Sequence, residues 1–478
     1  MPRVLDANFD EILLLPPSVE DWIPAESPAR FIREFVAGLD AKEFELRRAS
    51  EDVAEGRPSF SYALLWRVWL YGYLCRIRST RKLEAACRER VDFIWLSGNL
   101  QPDHNTLWRF WQEHRKVLRV LFKQTVKVAC ELNLVGLVLQ AIDGTKIQAA
   151  CHGRRGWDEA GLKQALARLD AEIAGHEKAI AREGEQETTP ATLPPELANA
   201  QQLRAKVAAA LAIVQSGETR HCHPQETDPR RMKGDGGNRF NYNAQAAVDG
   251  QERVITAAEV VTAENDLNEL NPMLEQAEDN TGAKARENLV DGGYCSGVQI
   301  MRAQAAGYEV LSPVPADPKD AEDAPYHTSR FQYDAATDTV ICPQGKPLQF
   351  RRERQRNGAV AREYRGTAAV CRACPAFNIC TKDRHGRTIE RWPWTPAMAE
   401  HRAKMATPEA AETYSKRGQI IETVFGWMKE AWGFRRWTWR GLEKVKAQWQ
   451  LLCATSNLRV LYRAWLTFLF ASKSTATA

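Results

Sequence analysis

The sequence predicts an α/β protein in which a mixed sheet flanked by helices follows an all-helical N-terminal region. Three observations lead to this fold class. Apolar residues recur with helical spacing over about 28–134, an apolar run of strand length occupies 135–142, and strand and helix signals then alternate up to 313. The 478 residues are too many for one compact core, so we expect two or three folded units.

The composition is that of an ordinary globular protein, with 44% apolar and 26% charged residues. A net charge of +4 allows an acidic partner without requiring one. Charged residues within Met1–Pro17 argue against a signal peptide. Asn457, Arg459 and Arg463 interrupt the apolar stretch Leu451–Phe470 and argue against a membrane span. The sequence therefore predicts a cytoplasmic protein.

The N-terminal region has long helical patterns at 62–76 and 107–132. Between them, an arginine-rich helix over 78–97, a polar turn over 98–103 and a second helix from Asn105 have the order of a helix-turn-helix. This motif predicts a DNA-reading element. A helical bundle with solvated arginines is the equally weighted alternative.

The sheet region starts at 135–142, which we predict to be a buried central strand that ends at Asp143. The later elements are predicted from alternation, apolar periodicity and turn residues. They are a hairpin of strands 242–249 and 253–262, a helix at 265–277 that Pro272 would kink, a strand ending at Asp291, a helix at 298–306 and a strand at 308–313.

A helical hairpin is predicted over 157–216, inside the sheet region. Leucine and isoleucine recur there at heptad-like intervals on both sides of a proline-containing break. The segment is either a packing insertion, which we favour, or an arm for dimerisation or DNA clamping.

Three carboxylates are the candidate catalytic residues. Asp143 and Asp291 each end a predicted strand and precede glycine, which lets a ligand approach the backbone. Each Asp-Gly pair alone is more typical of a turn, but two in one sheet favour function. Glu422 lies in a predicted helix over 412–429, and Lys429 follows it by two turns on the same face.

Several short motifs surround the three carboxylates. The C-terminal motifs are Tyr414-x2-Arg417-x4-Glu422-x6-Lys429, Gly433-Phe-Arg-Arg-Trp437, Arg440-Gly-Leu-Glu-Lys-Val-Lys446 and Ala454-Thr-Ser-Asn-Leu458. The earlier ones are Ile142-Asp-Gly-Thr-Lys146, Thr227-Asp-Pro-Arg-Arg-Met-Lys233, Tyr242-Asn-Ala-Gln245 and Val290-Asp-Gly-Gly-Tyr294. Each is short, but their common order is specific, and from about residue 28 onward the chain resembles the bacterial insertion-sequence DDE transposases.

The resemblance implies an RNase H-like fold in which Asp143, Asp291 and Glu422 bind two Mg²⁺ or Mn²⁺ ions. Such a site activates water or a DNA 3′-hydroxyl for attack on phosphorus. It also implies that Lys429 acts at the catalytic site and that Tyr414 and Arg417 contact DNA or support the glutamate. One residue more than usual separates Arg417 from Glu422, which turns the two about 140 degrees apart on an ideal helix.

Local charge also favours a DNA partner. Residues 351–390 contain ten Lys or Arg against four Asp or Glu, and residues 429–446 contain six against two. The second stretch interleaves tryptophans with cations, which suits phosphate contact and base stacking, although a basic face over a Trp-rich core is the alternative. The predicted DNA-binding residues are Tyr414, Arg417, Arg435, Arg436, Arg440 and Lys444.

A cluster of four cysteines, Cys342, Cys371, Cys374 and Cys380, suits a structural Zn²⁺ that would staple a basic loop. Reduced buried cysteines are the alternative. Cys151-His152 and His221-Cys222-His223 contain ligand types without a defined spacing, and we interpret them as structural.

The predicted organisation has four parts. They are a helical DNA-binding domain (1–135), a first catalytic part (136–340) with a helical insertion (152–227), a basic Cys-cluster insertion (341–390) and a C-terminal helical part with the glutamate (391–478). The predicted function is cleavage and joining of double-stranded DNA at element ends by a nucleoid-associated homodimer. A metal-dependent nuclease without strand transfer and a catalytically inactive DNA-binding relative are the alternatives.

Overall fold

The computed structural model describes residues 18–44, 59–152, 156–184, 195–314, 325–356 and 359–475. The chain forms two compact units. The first contains Met1–Leu132 together with Thr438–Ala478, and the second contains Asn133–Trp437. The C-terminal segment from residue 438 thus groups with the N-terminal helices, whereas we had predicted it as part of the catalytic domain.

The elements are numbered in chain order. The helices are α1 (Pro28–Ala37), α2 (Tyr62–Leu74), α3 (Thr80–Glu89), α4 (Val91–Ser97), α5 (His104–His114), α6 (Val117–Glu131), α7 (Glu159–Gly184), α8 (Pro195–Gln215), α9 (Leu270–Thr281), α10 (Gly297–Ala305), α11 (Ala368–Arg372), α12 (Thr395–Met405), α13 (Pro408–Ser415), α14 (Arg417–Gly426) and α15 (Leu442–Thr475). The strands are β1 (Leu139–Gln148), β2 (Arg230–Gly234), β3 (Gly237–Asp249), β4 (Ile255–Val261), β5 (Glu287–Val290), β6 (Val310–Leu311), β7 (Gln332–Asp334), β8 (Thr339–Ile341), β9 (Pro347–Arg356), β10 (Ala359–Gly366) and β11 (Thr388–Arg391).

The first unit is a helical bundle around α2, which is apolar on nearly all sides and therefore buried. Buried polar bonds tie α15 into it: Asn457 donates to Thr125 at 3.1 Å, and Gln448 donates to Tyr73 at 3.3 Å. The predicted helix at 107–132 is wrong in one respect, because α5 ends at His114 and α6 starts at Val117.

The turn predicted at 98–103 and the helix after it are present, but the helix predicted over 78–97 is divided at Arg90 into α3 and α4. Gly98 ends α4 with a positive φ of 62°, a conformation that glycine adopts without strain. Asp103 caps α5 by accepting a hydrogen bond from the Thr106 N–H at 2.6 Å. The predicted DNA contact of this segment stays a prediction.

The second unit is built on a six-stranded mixed sheet. Its order is β2-β3-β1-β5-β6, and β4 lies on the same side of β3 as β2. β1, β3 and β4 are antiparallel neighbours, whereas β5 and β6 run parallel to β1. The core between this sheet and α9 and α10 is apolar, with Ile142, Leu274, Val290 and Ile300 fully buried. The prediction of a mixed sheet flanked by helices is confirmed.

β1 extends further than predicted. It continues past Asp143 to Gln148 because β3 pairs with it along nine residues, from Gln140 to Gln148. On the other side, β5 ends at Val290, opposite Ile142. Asp143 therefore does not end its strand, but it is the first residue of β1 beyond the end of the parallel partner.

The predicted helical hairpin is present as α7 and α8. Its two helices share a small core of Leu162, Leu169, Val207, Ala210 and Cys222. The part of the break at 185–194 lies outside the described residues.

The other predicted sheet elements are present, although β3 begins earlier than predicted, β6 is shorter and β2 was not predicted. The helix α9 differs from its prediction. This helix starts at Leu270 instead of residue 265, so Pro272 stands in its first turn, where a missing N–H costs no hydrogen bond and introduces no kink.

The Cys-bearing insertion is a five-stranded sheet of order β11-β10-β9-β8-β7, not the loop that we predicted. It has its own core of Phe331, Val340, Leu348, Tyr364 and Ile389. The buried carboxylate of Glu363 accepts ion pairs at 3.3 Å from three arginines of β9, Arg351, Arg352 and Arg354. The segment that we predicted as a basic loop is therefore a sheet with an apolar core and one buried carboxylate.

The helix predicted over 412–429 is divided. α13 ends at Ser415, α14 runs from Arg417 to Gly426, and Trp427–Ala431 forms a π-helical turn. The wider turn changes the direction in which residue 429 points, so the two-turn spacing from Glu422 no longer predicts a common face.

Within the described residues, no helix combines the length and apolar character that crossing a bilayer requires.

Candidate active site

Asp143 and Asp291 lie on neighbouring parallel strands of the central sheet. The register pairs Ile142 with Val290, so the two aspartates are the next residues on adjacent strands, which lie about 4.8 Å apart in a sheet. Asp143 is half-buried and Asp291 is exposed. One oxygen of each carboxylate accepts the N–H of the following glycine at 2.8 Å. The sequence predicted that the two aspartates share one sheet, and the register places them on neighbouring strands.

Arg417 binds Asp143 directly. At the start of α14, which packs on β1 and β3, its guanidinium lies 2.6 Å from Asp143 Oδ2, with 13% of the side chain exposed. Burial raises the pKa of Asp143 above its ordinary value, while the Arg417 charge and the Gly144 N–H oppose this shift. Asp291 and Asp266 also raise the pKa of Asp143, which shows that negative charge is concentrated here.

Asp266 is a site residue that the sequence did not reveal. Its Oδ1 accepts hydrogen bonds from Asn243 and Gln245, both at 2.6 Å, and from Lys146 at 3.1 Å. Gly144 makes this packing possible, because a Cβ there would come within 2.8 Å of the Asp266 carboxylate. The residue lies between β4 and α9, where no periodic pattern distinguishes it. The sequence did show the Tyr242-Asn-Ala-Gln245 motif, which supplies two of the donors to Asp266.

Glu422 and Tyr414 come from the helices that cover the sheet. Tyr414 is half-buried, and burial raises the pKa of its hydroxyl. The charge of Arg417 lowers this pKa, whereas the charges of Asp291 and Asp143 raise it further. Glu422 is exposed on α14, and its carboxylate lies 3.4 Å from the position that a Cβ of Gly418 would occupy. Across the part of the chain that the structure describes, no group of three or more His, Cys, Asp or Glu is arranged to hold a metal ion. The structure thus brings Asp143 and Asp291 together, and Glu422 lies on α14, the helix whose Arg417 pairs with Asp143.

Lys429 and Arg435 both face Asp235 on the β2–β3 turn. The Lys429 ammonium lies 2.8 Å from Asp235 Oδ2, and the Arg435 guanidinium lies 3.9 Å from the same oxygen. Arg435 also pairs with Glu430. These two cations therefore lie at the edge of the sheet where β1 ends and β3 begins.

The other predicted DNA-binding residues have different surroundings. Arg436 donates to three carbonyls at the end of β1, those of Ala149, Ala150 and Cys151, so its guanidinium caps the strand. Arg440 is exposed, and Lys444 lies 5.8 Å from the ring centre of Trp108 within the helical unit.

The four predicted zinc ligands line one cavity in the Cys-bearing insertion. Cys342, Cys371, Cys374 and Cys380 all contribute to its wall, and none forms a disulfide. The Lys346 N–H donates to Cys342 Sγ at 3.3 Å. Burial raises the pKa of the Cys380 thiol, and the other three cysteines raise it further. The insertion therefore gathers the four thiols, although not at the distances of a preformed metal site.

Comparison with known proteins gives two matches. A family model described as "Transposase DDE domain" matches residues 341–462, which include Glu422, Lys429 and the four cysteines. A second, described as "Transposase domain (DUF772)", matches residues 17–113 of the helical unit. No curated protein and no solved structure matches the chain. The two matches flank the sheet that carries Asp143 and Asp291, and they agree with the order of motifs along the sequence. Both matched segments are similar to transposase families, and together they support an insertion-sequence DDE transposase.

Proposed function

We propose that this protein cleaves DNA at the ends of an insertion sequence and joins the freed 3′-hydroxyls to target DNA. The observation that carries the proposal is the side-by-side placement of Asp143 and Asp291 on parallel strands. The antiparallel trio β4-β3-β1, extended by the parallel strands β5 and β6, supports an RNase H-like domain. The two family matches support the same class of reaction.

The residues at this site fit divalent cations. Carboxylate oxygens are the ligands that Mg²⁺ and Mn²⁺ prefer. The Asp143 carboxylate already pairs with one cation, the Arg417 guanidinium. Asp143 and Asp291 would hold the ions, and Glu422 would complete the set from α14. When bound, two such ions supply an activated nucleophile and charge stabilisation at phosphorus.

The protein's own groups perform supporting tasks. Arg417 compensates the half-buried charge of Asp143, which would be costly to keep ionised alone. Asp266 orients Lys146, Asn243 and Gln245 beside β1 and thereby keeps the strand that carries Asp143 in place. The cations Lys429 and Arg435 would bind the DNA backbone.

A strand-transfer assay tests the function. Labelled duplexes carrying the inverted repeats that flank the gene would be incubated with the protein, target DNA and Mg²⁺. Joined products support the transposase, whereas cleaved but unjoined ends would identify a nuclease. Binding without either product would identify an inactive relative. Sizing of the protein with its DNA ends would show whether two chains assemble on a pair of ends, as the proposed homodimer requires.

We also propose that Cys342, Cys371, Cys374 and Cys380 bind one structural Zn²⁺. Support comes from the common cavity and from the reduced state of all four thiols. Because zinc binds thiolates, binding would release protons and draw the thiols together. Elemental analysis of the purified protein should give about one zinc per chain, lost in Cys374→Ser and retained in Cys130→Ser. Zinc-free protein whose folding is insensitive to chelator would contradict this assignment.

A further inference from the structure

A polar pocket of about 150 Å³ lies beside the candidate active site, where β1, the β2–β3 turn and the π-helical turn meet. Four cations line it, Lys146, Arg239, Lys429 and Arg435, together with a single carboxylate, Asp235. Three of these cations have a carboxylate partner, Lys429 in Asp235, Arg435 in Glu430 and Lys146 in Asp266, which leaves an excess of one positive charge. Such a group of cations around a volume of this size suits a small anion.

The carboxylate of Asp235 lies in the wall of this pocket and faces two of its cations. It lies 2.8 Å from the Lys429 ammonium and 3.9 Å from the Arg435 guanidinium. Arg239 instead donates to the neutral amide oxygen of Gln148 at 2.8 Å, and Lys146 pairs with Asp266 at 3.1 Å. The cations of the pocket are thus only partly neutralised by Asp235.

The segment that carries Asp235 is suited to moving. Asp235 stands in the turn Gly234-Asp-Gly-Gly237, and 55% of its side chain is exposed. A Cβ at Gly236 would come within 2.8 Å of the Arg239 guanidinium, so the glycine lets the turn lie against that cation. Gly237 has a φ of +86°, which favours glycine. An exposed carboxylate on a glycine-rich turn can be exchanged for another anion at small cost.

We propose that this pocket binds a DNA backbone phosphate and that Asp235 occupies it as an internal substitute until DNA arrives. The inference rests on the proposed function, since it assigns the ligand of a pocket in a DNA-processing protein. Lys146 lies three residues after Asp143 on β1, about 10 Å along the strand, so the pocket and the candidate catalytic aspartate share one strand. Lysine and arginine are the side chains that bind phosphates most often, by charge and by hydrogen bonds.

The test is DNA affinity without catalysis, measured by fluorescence anisotropy on a labelled duplex in EDTA over a range of salt concentrations. Asp235→Asn keeps the shape of the side chain and removes its charge, and we expect it to bind DNA about threefold to tenfold more tightly than the natural protein. Glu412→Gln is the matched control, because it makes the same change of net charge at an exposed carboxylate of α13 that does not line the pocket. We expect this control to change affinity less than twofold.

A double variant separates occupation of the pocket from a general charge effect. Lys429→Gln alone should weaken binding and reduce the salt slope by about one. In that background, Asp235→Asn should no longer tighten binding, because the cation that Asp235 competes for is absent. Equal gains from Asp235→Asn and Glu412→Gln, or a full gain in the Lys429→Gln background, would overturn the inference. If the natural protein binds no DNA in this assay, the proposed function fails as well, so the two failures are distinguishable.

Discussion

At the scale of single residues, the site depends on carboxylates held close together and on the cations that balance them. Asp143 and Asp291 were predictable, because a strand followed by Asp-Gly is visible in the sequence. Asp266 was not, since it lies in an irregular segment and gains its role only through Asn243, Gln245 and Lys146 from two different strands. Contacts that join distant parts of the chain leave no local pattern.

Replacing Asp143 with asparagine tests whether this carboxylate takes part in catalysis. The amide keeps the size of the side chain but cannot provide the second negative charge of the pair, so we expect DNA cleavage to fall on the order of 1,000-fold or more. DNA affinity in EDTA should stay within about threefold of that of the natural protein, because phosphate contacts come from other residues. Undiminished cleavage by this variant would exclude Asp143 as a metal ligand.

At the scale of elements, apolar periodicity predicted which segments are helices and strands better than where they end. β1 is longer than its apolar run because β3 pairs with it throughout, a tertiary effect. The break at Lys416 and the π-helical turn after Gly426 gave no signal in the sequence, since residues 412–429 keep a continuous apolar stripe. These irregular turns set the directions of Arg417 and Lys429.

The hairpin of α7 and α8 allows a direct test of its packing. Leu162 is fully buried in the hairpin core, and Leu162→Ala should destabilise the hairpin by about 2–5 kcal/mol. Leu203→Ala on α8 is the control, because this leucine is 40% exposed and its loss should cost less than about 0.5 kcal/mol. Hydrogen exchange of the α7 and α8 amides measures both changes. Equal effects would show that the hairpin has no core of its own.

The contact of α12 with the sheet should make stability depend on pH. His401 is buried on α12, and its Nε2 donates to the Ser312 carbonyl at 2.9 Å. Burial lowers the pKa of His401 below 6.5, with Lys404 and Arg402 acting in the same direction. As the pH falls through about 6.5, His401 is protonated in the unfolded chain before it is protonated in the folded one. Protonation therefore favours the unfolded state, and the free energy of unfolding falls by up to about 1.4 kcal/mol per pH unit.

Chemical unfolding followed by tryptophan fluorescence at about pH 7.5 and pH 5.5 would reveal this dependence. His401→Gln retains a side-chain donor but does not titrate, so its stability should fall less between the two pH values. The same loss in both proteins would assign the pH dependence to other groups.

At the scale of the whole molecule, the helical character of the N-terminal region and the mixed sheet were predictable from pattern and length. The grouping of Thr438–Ala478 with the N-terminal helices was not. It depends on buried polar bonds such as that between Asn457 and Thr125, which join residues more than 300 positions apart. The Cys-bearing insertion likewise forms a sheet of its own, in which the buried carboxylate of Glu363 pairs with three exposed arginines of β9.

The central claim is that Asp143, Asp291 and Glu422 act as one metal-dependent site, and Glu422 is its most informative member because it lies on α14, apart from the two strands. The direct measurement is strand transfer by Glu422→Gln in Mg²⁺, compared with Glu412→Gln, an exposed carboxylate of α13. We predict that Glu422→Gln yields no joined product while Glu412→Gln joins DNA at the rate of the natural protein. Joined product from Glu422→Gln at that same rate would contradict the account.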